Sequence, residues 1–217
     1  MSLYLLKADA LFLHVPKTGG IWVQAALKAA GIATTWASVR LGVSTGHAPL
    51  WGYVHTYPFA FGFVRHPLAW YSSYFRFQCA NGWPNWEAPS WHPQACLAPY
   101  ASLTFAVFVQ MVLAHEPSYV TRMYEWYFGP PGTMYIDAIG HQETLAQDLV
   151  AILTRLGYQG HEEPIMATPM ANESPGVARW DRELFEQVLC SETPAIRRFY
   201  GDAALPLLWR DGRTTDV

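Results

Sequence analysis

Lysine, threonine and two glycines meet in "PKTGG", Pro16 to Gly20, at the end of the apolar run "ALFLHV" and the start of an alanine-rich segment. A strand that feeds a helix through such a turn is suited to hold an anion. Glycine lets the backbone approach a ligand closely, the first helical N–H groups lack partners within the helix, and the helix dipole is positive at that end. Lys17 adds a full charge. The expected guest is a phosphate or a group like it. The stretch is not a Walker A loop, which sets Gly-Lys before Ser or Thr at the end of a longer glycine-spaced loop, whereas "LHVP" precedes Lys17. By itself Lys-Thr-Gly-Gly also suits a plain tight turn.

A second chemical signal lies in "VRHPLAWYSSYF", where Arg65 ends an apolar run and Ser73 follows eight residues later. An arginine fork and a hydroxyl from neighbouring turns can share another phosphate. Arg65 alone suits a structural carboxylate pair equally well. Together with Lys17 and Thr18 it points to a ligand carrying two separated phosphates.

The elements around these residues repeat one pattern. Residues 10–15 read as a strand buried on both faces, and from Gly20 the stripe Trp22, Ala25, Ala26, Ala29, Ala30 reads as a helix that stops at Gly31. "FAFGFVR" from Phe59 is a second such strand, and Pro67 opens the helix after it. Between them runs a short strand or loop and irregular chain. "TMYIDAIG", 133–140, predicts a third strand, followed by a helix burying Leu145, Leu149, Ile152, Leu153 and Leu156 and ending at Gly157. Further helices are expected from Ser102, over "SYVTRMYEWYF", and over 178–200. The fold class is α/β: a P-loop-like three-layer fold with a central, mainly parallel sheet flanked by helices, both strand-to-helix junctions lying at one sheet edge. Residues 1–217 read as a single domain, and 79–100, rich in Pro, Gly and Trp, as an aromatic loop and candidate lid.

Composition narrows the function. Hydrophobic residues make up 51% and charged residues 14% of the 217, with 10 Trp, 12 Tyr and 11 Phe, which excludes disorder over most of the chain. The net charge of −3 argues against a nucleic-acid surface and a polyanionic acceptor, both of which need clustered Lys and Arg. Three widely spaced cysteines, Cys79, Cys96 and Cys190, fit reduced thiols. Pro93 separates His92 from Cys96, so no metal site is expected. With no leader-like start and no long uncharged apolar segment, a cytoplasmic protein without a membrane span is expected.

In its two anion elements the chain resembles the sulfotransferases that use 3′-phosphoadenosine 5′-phosphosulfate (PAPS). In that family a "PK[ST]G" turn binds the 5′-phosphosulfate, matched by Pro16, Lys17, Thr18, Gly19 and Gly20. An "R-x-P" element with a serine eight residues after its arginine binds the 3′-phosphate, matched by Arg65, Pro67 and Ser73. "PKTGG" is closer to the carbohydrate-type and bacterial branches than to the aryl branch. "MYIDAIGHQETLAQDLVAILTRLG" and "ANESP" echo later family segments. No glycine-rich "RKG" loop occurs, so the adenine contacts are unassigned, with Arg179 or Arg182 as substitutes.

The resemblance implies an enzyme moving a sulfuryl group from PAPS to an acceptor hydroxyl by in-line displacement, releasing adenosine 3′,5′-bisphosphate and needing no metal. It implies Lys17 as the catalytic cation at the bridge oxygen. It also places a base between the two phosphate elements, where His47 in "STGHAPLW" is favoured over His55. His14 is read as a strand-end residue facing the nucleotide, and His66 as shaping the second turn. The acceptor is expected to be an uncharged hydroxyl-bearing small molecule or glycan, with Trp83, Trp86 and Trp91 available to stack on it. The rival readings are a kinase-like nucleotide enzyme and a non-catalytic nucleotide-binding or interaction protein.

Overall fold

The computed structural model describes residues 1–40, 47–83, 94–102, 104–170 and 178–202. The chain divides into two units, Met1–Arg65 with Tyr127–Glu173, and His66–Trp126 with Ser174–Val217.

The first unit holds a five-stranded sheet of β1 (Leu3–Leu5), β2 (Ala10–Leu13), β3 (Thr34–Trp36), β4 (Phe59–Val64) and β5 (Ala138–His141) in the order β3-β1-β2-β4-β5. The central strands β2, β4 and β5 run parallel, with Leu13 opposite Gly62 and Val64 opposite His141. The expected parallel core is therefore present, and β1 and β3 extend it antiparallel. The sequence reading missed β1, although the polar Lys7-Ala8-Asp9 between two apolar runs is a hairpin signal; Asp9 takes a positive φ of 48° there. The third strand is shorter than read. Tyr135 N donates to Phe128 O, so the segment joins β4 only where Asp137 N donates to Ala60 O, and the strand starts at Ala138.

Helix α1 (Gly20–Ala29) follows β2. Phe12, Phe61 and Phe63 from the sheet pack with Trp22, Val23 and Leu27 of α1, and with Leu145, Leu149 and Leu153 of the helix after β5. Each such side chain contributes about 1.5–3 kcal/mol by leaving water. Packing on both sides of the turn anchors it to the sheet edge.

The second unit is helical. Helix α2 (Pro67–Asn81) starts with proline in its first turn, as read, and α3 (Phe105–His115) is capped by Thr104, which accepts from Val107 N. Helix α4 (Tyr119–Phe128) follows; its last residues, Tyr127 and Phe128, belong to the first unit, as do α5 (Leu145–Arg155) and the short α6 (Glu162–Met166). The helix read over 178–200 is two helices, α7 (Arg182–Ser191) and α8 (Thr193–Tyr200), because Pro194 cannot continue a ladder and instead opens α8. Of the 79–100 loop, residues 79–81 complete α2, Ala95–Tyr100 form a 3₁₀ helix, and 84–93 lie outside the described residues.

Aromatic stacking fills this unit. Trp70 lies parallel to Tyr74 at 5.1 Å, and Trp83 packs on Phe108 at 5.3 Å. Glu192, fully buried between α7 and α8, accepts from Val120 N (3.1 Å), Thr121 N (2.8 Å), Thr121 Oγ1 (2.7 Å) and Tyr71 Oη (2.8 Å). It thus caps the N-terminus of α4 from a distant part of the chain. Glu192→Ala strands those donors without water, so a loss of about 3 kcal/mol is expected in urea unfolding. A loss under about 1 kcal/mol would mean that water replaces the carboxylate.

Candidate active site

The turn after β2 has an uncommon backbone. Lys17 takes a φ of 66° and Gly19 one of 86°, while Thr18 between them stays in the ordinary half of the map. A left-handed lysine costs about 1–2 kcal/mol, and the alternation of hand turns successive N–H groups to one side, which makes an anion-binding concavity. Glycine is required at both following positions. A Cβ on Gly19 would lie 2.5 Å from Leu145 Cδ2, and one on Gly20 would enter the His14 ring. The first helical rung is Val23 N to Gly19 O, 3.1 Å, which leaves the preceding amides outside the ladder. No acid stands in the first turn and no side chain caps it. An anion suits that end on all these grounds.

Thr18 is buried, and its hydroxyl donates to Val15 O at 3.0 Å, so it closes the turn and offers a ligand its N–H rather than its hydroxyl proton. Pro16 is buried behind it, and Lys17 is half-buried. Arg65, just past β4, donates from Nη1 to Lys17 O at 3.5 Å. The first turn and the arginine of the second are therefore adjacent, within one unit. Ser73 lies half-buried on α2 in the second unit, one residue from Ser72, which accepts from Trp180 Nε1 at 3.1 Å.

His47 stands beside the turn. Its Nδ1 is 3.1 Å from the His14 carbonyl, and the two rings are 4.6 Å apart between centroids. A carbonyl can only accept, so Nδ1 carries a proton, and in the neutral ring Nε2 is then the accepting nitrogen. His55 is exposed, with its ring 6.5 Å edge-on to Tyr57.

His14 differs from the reading of it as a residue facing the nucleotide. Strand alternation puts it on the same face as Phe12, with which it stacks at 6.0 Å, and it fills the space behind Gly20. Burial holds its ring well below the usual histidine range, and His47 adds to the effect. His66 precedes α2 and accepts on its carbonyl from Trp70 N at 2.8 Å, and burial pushes its ring down to about 4.

One edge residue escaped the sequence reading. His141 ends β5 opposite Val64, with Nδ1 3.2 Å and backbone N 2.7 Å from Asp148 Oδ2, which also accepts from Thr144 Oγ1 at 2.9 Å. A histidine one place past an expected strand, backed by an aspartate, was the available signal. Arg182 pairs with Glu186 at 2.9 Å on the surface of α7. Trp83, half-buried, packs on Tyr74 and Phe108 of its unit, whereas Trp86, Trp91 and the "ANESP" echo lie outside the described residues. No cluster of His, Cys, Asp and Glu able to hold a metal, and no helix long and apolar enough to cross a membrane, occurs among the described residues.

Comparison with known proteins bears on the same edge. No curated protein and no solved structure matches the chain. A model of the sulfotransferase family matches residues 44–200, nearly three quarters of the chain, a span that takes in His47, Arg65 and Ser73 but begins after the glycine turn. The turn and the matched span thus carry separate lines of evidence that meet at the ends of β2 and β4, and the chain belongs to the sulfotransferase family.

Proposed function

We propose that the protein moves a sulfuryl group from PAPS to the hydroxyl of an uncharged small molecule or glycan. The donor supplies the sulfuryl group; the chain supplies position and charge. Pro16 and Thr18 shape the turn, the amides around Gly19 and Gly20 hold the 5′-phosphate, and Lys17 steadies the bridge oxygen as negative charge grows on it. Arg65 holds the 3′-phosphate. The acceptor oxygen forms a bond to sulfur as the sulfur–oxygen bond to the 5′-phosphate breaks. His47 Nε2 takes the acceptor proton, and adenosine 3′,5′-bisphosphate leaves.

The observation that carries this reading is the bond from His47 Nδ1 to the carbonyl of His14, two residues ahead of the turn's proline. It supports a base with its accepting nitrogen fixed at the strand end that also presents the anion turn.

Calorimetric titration with adenosine 3′,5′-bisphosphate, beside ATP with Mg²⁺, tests the donor site without knowledge of the acceptor. The bisphosphate should bind tightly and ATP weakly. Arg65→Ala removes a charge-assisted contact and should weaken the bisphosphate by about 10- to 100-fold. Binding of ATP alone would favour a kinase-like enzyme, and unchanged binding in Arg65→Ala would remove Arg65 from the 3′-phosphate.

A further inference from the structure

His47 is gripped through its backbone as well as its ring. Tyr127 Oη, at the end of α4, donates to the His47 carbonyl at 2.7 Å. Tyr53 Oη lies 3.2 Å from the next carbonyl, that of Ala48, and 2.6 Å from Ser2 Oγ. The one phenol proton is shared between Ser2 Oγ, the nearer acceptor, and the Ala48 carbonyl, and Ser2 Oγ also accepts from His14 N at 2.9 Å. Both phenols are buried, and burial pushes each above the usual tyrosine range, so both remain donors across any working pH.

We propose that Tyr127 and Tyr53 are positioning residues for the base, two buried phenols that clamp consecutive carbonyls and thereby keep His47 Nδ1 on His14 O and Nε2 as the proton acceptor. The proposal rests on the reading of His47 as the base. Its physical content is a tolerance. The ring bond is 3.1 Å long, and a backbone shift of about 0.5 Å carries it past the range of a hydrogen bond. An imidazole released from that carbonyl exchanges between tautomers, and only one of them presents a lone pair on Nε2. A tyrosine that merely filled space would leave the tautomer alone when its hydroxyl was removed.

The test uses the full chain and needs no acceptor. Long-range nitrogen–proton NMR of the histidine rings, with His47→Gln to assign the signal, reads the tautomer directly. Wild-type His47 should show a single tautomer with its proton on Nδ1. Tyr127→Phe should average the two tautomers while adenosine 3′,5′-bisphosphate affinity stays unchanged, and Tyr53→Phe should do so more weakly because its bond is longer. Against an acceptor found by screening, Tyr127→Phe should lower kcat by about 10- to 100-fold. The double variant Tyr127→Phe/His47→Ala should turn over no more slowly than His47→Ala. Folded Tyr127→Phe and Tyr53→Phe proteins that both keep the wild-type tautomer overturn the clamp alone. A wild-type His47 with its proton on Nε2 overturns the base assignment, and the clamp with it.

Discussion

Lys17→Ala should lower turnover by about 10²- to 10³-fold while the protein stays folded, because on the proposed mechanism the lysine charge acts on the bridge oxygen only as that bond breaks. The backbone supplies a control. Lys17 sits in the left-handed half of the map at φ 66°, where glycine has no penalty and alanine has the lysine's own. Lys17→Gly should therefore be more stable than wild type by about 1 kcal/mol in urea unfolding and yet as inactive as Lys17→Ala. A strained residue kept where glycine would fit better is the pattern expected of a side chain retained for chemistry. Turnover is measured as transfer from radiolabelled donor to the best acceptor in a panel of alcohols, phenols and sugars. Wild-type rates in Lys17→Ala would assign the turn to binding alone. An inactive but also unstable Lys17→Gly would show that the left-handed lysine is itself part of the fold.

The turn was legible in the sequence because strand, glycine pair and helix are consecutive, so local pattern and chemistry coincide. The parallel core was legible for the same reason: "ALFL" and "FAFGFV" are apolar at every position, as strands covered on both faces must be. What could not be read was set by contacts distant in sequence. Nothing local to Glu192 signals its role, yet it accepts from the N-terminus of a helix 71 residues away. His14 reads as a ligand-facing strand end, and only the absence of a Cβ on Gly20 shows that the ring packs behind the turn. Trp83 reads as a stacking platform, and only the structure shows its half-buried ring packed on Tyr74, Phe75 and Phe108. The place of His47 between the two elements could be expected from the resemblance. Its tautomer could not, since that depends on a carbonyl 33 residues earlier in the chain.

That tautomer leads to the second large effect. His47→Ala should lower kcat by about 10³-fold, the usual contribution of a positioned base, and leave adenosine 3′,5′-bisphosphate affinity intact because the proposed mechanism has the ring meet the acceptor and not the nucleotide. The pH profile separates this from a general loss of packing. A base works only when Nε2 is unprotonated, so on the proposed mechanism wild-type kcat should show an acid limb. The residual rate of His47→Ala should lack that acid limb. His14 does not supply a second one, since burial keeps its ring neutral through the working range. His55, exposed against Tyr57, is the internal control, and His55→Ala should keep both the rate and the limb. If His47→Ala holds kcat within about tenfold of wild type and the acid limb persists, the proton goes elsewhere. His141, held by Asp148 at the end of β5, would then be the next histidine to replace, being a half-buried imidazole at the carboxyl end of a parallel strand with a bonded Nδ1.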